Sequence, residues 1–191
     1  LIGSFFLAMV FGAADTSVKD VWLVLTTDAA GKTIDMIREI RLPREVGAIF
    51  VGASLSVAGA IMQGLTRNPL ADPGLLGLTA GANAALALTI ALFPNANYFS
   101  MTIACFIGAA AGAFLVFGIG AVKKGRISPF QIVLAGAAVS AFLFAVAEGI
   151  SLYFNIYKNV SMWTAGGLVG ATWKQLKILI PIALVGITIS L

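Results

Sequence analysis

The chain has 191 residues, 60% of them hydrophobic and only 10% charged, with a mean hydropathy of +1.01. A soluble domain of this size carries about a quarter charged residues, so most of this surface faces something other than water. The 20 charges (12 Lys+Arg, 8 Asp+Glu) gather in a few segments between long uncharged stretches, the layout of a polytopic membrane protein. The chain contains no histidine, and Cys105 is its single cysteine. That pattern excludes imidazole acid–base chemistry, His-ligated zinc, an internal disulfide and a thiolate metal cluster. A net charge of +4 divided among loops gives nucleic acid no basic patch to bind.

Residues 1–14 are uncharged but fall short of the roughly 20 apolar residues that a span needs. Without a basic segment ahead of them they read as the tail of a first helix rather than as a signal peptide. Residues 15–45 then carry eleven charges, with Trp22, Ile34, Ile37 and Ile40 at helical spacing, which predicts one or two interfacial amphipathic helices. The 21 uncharged residues between Glu45 and Arg67 fit one span. Along it Ala48, Gly52, Ser56, Ala60 and Gly64 recur at every fourth position, a stripe of small side chains that lets another helix pack closely.

The sequence TRNPLADPG ends that span, because Pro69 and Pro73 cannot sit in a helix interior. Asn68, Pro69, Asp72 and Pro73 form the expected turn, with Asp72 capping a new helix that has Pro73 at its first position. Residues 73–122 hold no charge, too many for one span, and the segment Pro94-Asn95-Ala96-Asn97 divides them into helices near 74–93 and 98–122. A basic loop, Lys123-Lys124-Gly125-Arg126, follows. Another span runs from about Pro129 to Tyr153 with Glu148 near its far end, then a polar, aromatic stretch suited to a membrane interface, then an apolar run from Ile178 to Leu191. The expectation is an all-α transmembrane bundle with about six spans, the first and last incomplete, forming a single transmembrane domain over residues 1–191.

Few residues carry recognisable chemistry. The stretch from Gly120 to Ile127 has the two glycines of a phosphate-binding loop, but Arg126 stands where the loop needs Lys and Ile127 where it needs Ser or Thr. If the protein works with ATP, hydrolysis belongs to another chain. Glu148 is the one acid inside a predicted span, and a mid-membrane carboxylate costs about 2.5–3.5 kcal/mol on insertion scales. It has either a pathway role or an interfacial, hydrogen-bonded one, while Gln63 and Asn83 fit interhelical hydrogen bonding better than a pathway. In Arg41-Leu42-Pro43-Arg44 the proline marks a helix start, placing Arg44 in a first turn where a cation is disfavoured by about 0.3–1 kcal/mol. Either Glu45 compensates locally or Arg41 and Arg44 await carboxylates on a partner, a task for which guanidinium is well shaped.

The segment RLPREVGAIFVGASLSVAGAIMQGLTRNPLADPGLLGLTAGAN (41–83) closely resembles the signature of the FecCD-type permeases. These are membrane subunits of type II ABC importers for iron–siderophore complexes, haem and cobalamin. QIVLAGAAVSAF (131–142) and MWTAGGLVGATWKQ (162–175) resemble further landmarks in the same order. The resemblance implies a ten-helix subunit of the bacterial cytoplasmic membrane that pairs with a second permease, binds a cytoplasmic ATPase dimer and receives substrate from an external binding protein. It also implies that Arg41 and Arg44 face outward and meet acids on that binding protein, and that residues 68–73 and 123–126 are cytoplasmic. No enzymatic activity and no cofactor are expected of the chain. With about six helices it corresponds to the N-terminal part of such a permease, before the segment that contacts the ATPase. The implied topology puts eight Lys/Arg outside and four inside, against the positive-inside rule, although six acids accompany the outer 15–45 segment. The alternative is a secondary transporter coupled through Glu148; an intramembrane enzyme lacks any evident catalytic set.

Overall fold

The computed structural model of the chain describes residues 2–11, 16–27, 31–121 and 129–190. Every regular element among them is helical: α1 (Ile2–Val10), α2 (Val18–Thr26), α3 (Lys32–Met36), a π turn (Ile37–Arg41), α4 (Leu42–Thr66), a 3₁₀ turn (Pro73–Leu76), α5 (Leu78–Leu92), α6 (Tyr98–Ala121), α7 (Pro129–Tyr153), α8 (Tyr157–Ala165) and α9 (Trp173–Ser190). Four helical stretches are long and apolar enough to cross a membrane: 32–66, 98–119, 130–153 and 173–190. The fifth apolar helix, α5, has 15 residues, and α1 has nine, so fewer stretches reach membrane-crossing length than the six expected. The chain divides into two compact units, one of residues 1–57 and 167–191, the other of residues 58–166.

In the first unit the described part of the charged 15–45 segment forms the separate short helix α2 and, from Lys32, the beginning of a helical stretch that runs on into α4 rather than a second helix apart from the span. Ser17 and Asp20 make a reciprocal capping box at the start of α2, with Ser17 N–H donating to Asp20 Oδ2 at 3.0 Å and Asp20 N–H donating to Ser17 Oγ at 3.2 Å. Donation from the Ser17 backbone, then from its hydroxyl, holds the Asp20 carboxyl below its usual range. Met9, Val21, Val24 and Ile37 form the buried cluster that joins α1, α2 and the π turn.

Pro43 does not begin a helix, contrary to expectation. Helical backbone is continuous from Lys32 to Thr66, and Pro43 is fully buried. The reason lies in the wider turn just before it. Proline lacks an N–H, and its ring crowds the carbonyl four residues back; a π turn opens the backbone at that point. Leu42 N–H accordingly donates to Ile37 C=O rather than to Arg38 C=O. The next carbonyl in the π pattern, that of Arg38, would need an N–H on residue 43, and Pro43 has none. The indole N–H of Trp173, on α9, donates to Arg38 C=O at 3.0 Å instead. The same helix packs Leu176 against Gly47, where an added Cβ would lie only 3.2 Å from the leucine methyl. Helix α9 also begins five residues earlier than the apolar run suggested, because Thr172 and Gln175 form a second capping box, Thr172 N–H donating to Gln175 Oε1 at 2.9 Å.

The second unit is built on α5, α6 and α7. Helix α4 ends in a Schellman turn: Arg67 is left-handed at φ 50°, and Asn68 N–H donates to Gln63 C=O. The chain then turns at Asn68, whose side chain accepts from Leu70 N–H at 3.0 Å. Asp72 caps with Pro73 following it, as expected, but what it caps is the short 3₁₀ turn, its carboxylate accepting from Gly74 N–H. Gly77, left-handed at φ 72°, then reorients the backbone so that α5 starts only at Leu78. The apolar run from 73 therefore spends its first five residues on a turn, which is why α5 is short.

Where α5 crosses α6, Gly77 and Gly81 lie directly on Gly108 and Gly112. A Cβ on Gly81 would run into the Gly108 carbonyl, and one on Gly112 into the Gly77 carbonyl. Gly136 of α7 meets the Leu75 carbonyl in the same way. Around these contacts Val116, Ala135 and Val139 form one buried cluster, and Leu86, Ala87, Ile90, Ala147 and Val160 form another.

Candidate functional site

Two places gather the polar side chains that the sequence singles out. In the first unit the arginine pair separates into two roles. The Arg41 guanidinium donates to Met9 C=O at 2.7 Å and to Thr16 Oγ1 at 2.9 Å, and the Thr16 hydroxyl donates to Val10 C=O at 2.6 Å. Together they satisfy the end of α1, whose last carbonyls have no helical partner. Arg44 is exposed and stands inside a continuous helix, so the first-turn penalty expected for it does not arise.

The small-residue stripe of α4 is exposed at all five positions, Ala48, Gly52, Ser56, Ala60 and Gly64, and nothing lies within 4 Å of a Cβ built on Gly52 or Gly64. Part of it, with Glu45, borders a groove shared with Ser4, Phe5 and Ala8 of α1. The close helix packing inside this chain is made instead by Gly77, Gly81, Gly108, Gly112 and Gly136. Their spacing of four residues in each helix, 77 and 81, then 108 and 112, is a sequence signal as plain as that of the α4 stripe.

In the second unit Asn83, on α5, and Glu148, on α7, open onto one cleft of about 420 Å³. Ser151 from α7 and Tyr157, Ser161 and Thr164 from α8 complete its polar lining. Asn83 is half-buried and Glu148 exposed. Gln63, exposed on α4, is not among the cleft residues. None of these three side chains hydrogen-bonds to another helix among the described residues. The Ser151 hydroxyl donates to Ala147 C=O at 2.7 Å, and that of Thr164 to Val160 C=O at 3.1 Å; Ser151 is buried and Thr164 exposed. A neighbouring cavity of about 410 Å³ is mainly apolar, bordered by Cys105 and by Tyr98 stacked on Trp163 with ring centroids 6.1 Å apart.

Among the described residues no group of three Cys, Asp or Glu side chains could hold a metal ion. Lys123–Arg126 and most of the glycine-bearing stretch 120–127 lie outside the described residues.

The model of the FecCD transport family matches residues 1–191, the whole length of the chain. The chain belongs to the FecCD transport family. Among its curated relatives, the iron(3+)-hydroxamate import system permease protein FhuB of Bacillus subtilis (strain 168) is 38% identical, over 97% of this chain and 48% of that protein. The ferric enterobactin transport system permease protein FepD of Escherichia coli (strain K12) is 35% identical, over 95% of this chain and 55% of its own length. The hemin transport system permease protein HmuU of Yersinia pestis is also 35% identical, over 92% and 54%. The chain thus spans about half the length of the FecCD relatives it matches. A solved structure described as an inward-facing conformation of a metal-chelate type ABC transporter superposes with a TM-score of 0.72, covering 96% of this chain and 54% of the other at 20% identity. That likeness shows the fold alone.

Proposed function

We propose that this FecCD chain is part of the membrane-spanning permease subunit of an ATP-binding-cassette importer in the bacterial cytoplasmic membrane, carrying a ferric chelate of the siderophore class, or haem or cobalamin, inward. The observation that carries this reading is the family match along the entire chain, joined to four helical stretches of membrane-crossing length. Residues 1–191 act as one transmembrane domain. ATP is hydrolysed by a separate pair of cytoplasmic ATPase subunits, a second permease subunit completes the pathway, and an external binding protein delivers the chelate. Residues 68–73, between α4 and the 3₁₀ turn, face the cytoplasm.

Arg44 is exposed and free to meet a carboxylate on the binding protein. Arg41, which also holds the end of α1, contributes to that docking through the shape it gives the segment around Arg44. The small-residue face of α4 receives a helix from outside these 191 residues. The relatives are described as import- or transport-system permeases and the structural neighbour as an ABC transporter, which favours the importer over a secondary transporter coupled through Glu148.

The test is uptake of a radiolabelled ferric chelate by the permease reconstituted with its ATPase and binding protein. Uptake should require hydrolysable ATP and all the subunits. Uptake driven by an ion gradient, with no ATPase or nucleotide present, would overturn the proposal.

A further inference from the structure

The cleft between α5, α7 and α8 has an uneven electrostatic character. Its lining contains one acid, Glu148, and no basic side chain. The exposed Thr164 hydroxyl spends its proton on a helix carbonyl and offers acceptor lone pairs to whatever enters. Asn83, Tyr157 and Ser161 add polar groups able to orient a ligand. Such a surface attracts ammonium, amide N–H and neutral polar groups and repels an anion. Glu148 is exposed, so this repulsion has the size expected near a protein surface rather than deep inside it. Its volume, about 420 Å³, lies in the range of small-molecule sites.

We infer that this cleft is a charge-selective contact point for the transported chelate, with Glu148 as its specificity-determining residue, and that the chain favours neutral or cationic ferric chelates over anionic ones. The inference rests on the importer reading above and narrows its substrate class. Three monoanionic hydroxamates cancel the charge of ferric iron, and a pendant ammonium leaves such a chelate positive. Three catecholate dianions leave it strongly negative. The cleft suits the hydroxamate kind and opposes the catecholate kind. Glu148 stands five residues before the end of α7, where a ligand meets it near one end of the span.

The experiment measures equilibrium binding to the permease–ATPase complex in lipid nanodiscs, with no binding protein, so that the permease alone sets the preference. The probes are a cationic ferric trihydroxamate bearing an ammonium group, a neutral ferric trihydroxamate and a ferric triscatecholate. The wild-type complex should prefer the first two over the third by about tenfold or more. Glu148→Gln should remove most of that preference, Glu148→Asp should retain it, and Thr164→Glu, which adds a second acid to the same lining, should widen it. Equal binding of all three probes by wild type, or a preference that Glu148→Gln leaves unchanged, would overturn the inference. If the wild-type system still imports a chelate with ATP in that case, the importer reading stands and only charge selection at this cleft falls. If it imports none, the importer reading falls as well.

Discussion

Replacing Gly81 by alanine adds a single methyl group where the backbones of α5 and α6 meet, and the structure sets both the sign and the size of its effect. The new Cβ would run into the Gly108 carbonyl oxygen, lie 2.9 Å from the carbonyl carbon and 3.3 Å from the Gly112 Cα. All of these are backbone atoms of α6, so no side chain can swing aside. Restoring ordinary separations of about 3.5–4.0 Å requires α5 and α6 to move apart by on the order of 1 Å. Overpacking of this kind costs about 1–3 kcal/mol, whereas replacing a helical glycine by alanine contributes only about 0.5–1 kcal/mol. A net loss of about 1–2 kcal/mol lowers the melting temperature by roughly 2–8 °C for a domain of this size. Gly118→Ala, on α6 with nothing within 4 Å of the new Cβ, keeps the favourable term and should melt slightly higher than wild type. Cys105 supplies a native reporter, half-buried on α6 beside the Leu86 cluster. Its reaction with a thiol-sensitive dye on heating the purified permease in detergent follows the opening of this unit. Equal or higher stability of Gly81→Ala relative to Gly118→Ala would refute the claim that these helices touch through their backbones.

Two further outcomes follow from the first unit. Trp173→Phe leaves the Arg38 carbonyl without the indole donor and should destabilise the permease by about 1–2 kcal/mol, the lower part of the range for an unsatisfied polar group because the bond is only part-buried; Pro43→Ala returns an N–H to the helix and should shrink that loss in a double-mutant cycle read by thermal unfolding, strict additivity being the contrary result. Arg44→Glu should weaken binding-protein docking without lowering thermal stability and be rescued by a Glu→Arg change on the binding protein, whereas Arg41→Glu should lose both, since it abandons the Met9 carbonyl. Docking by Arg44→Glu at wild-type affinity in low salt, where exposed charges act most strongly, would remove Arg44 from the interface.

Composition alone determined the class of this protein. A chain with so few charges has to bury its backbone polar groups in helices and place apolar side chains against lipid, and charge-free runs of about 20 residues show where those helices lie. Local chemistry fixed the caps: Asp72 before Pro73 accepts a backbone N–H, and Ser17 with Asp20 closes the start of α2. The family signature was equally legible, because it resides in residue order.

What the sequence left open depended on contacts between segments far apart in it. Pro43 reads locally as a helix start; the tertiary structure keeps the helix going because a π turn accommodates the ring and Trp173, 135 residues away, satisfies the freed carbonyl. Two repeats of small residues look alike in sequence, one on α4 and one across α5 and α6. Only the fold shows that the second brings backbones into contact while the first stays exposed. The two arginines share a motif, yet one is drawn to the end of α1 and the other is not. Likewise Asn83 and Glu148, 65 positions apart, become neighbours across one cleft because α5 and α7 pack through Leu86, Ala87 and Ala147. Periodicity specifies which face of a helix is small or apolar, but the partner that covers that face is chosen by the global packing of the chain.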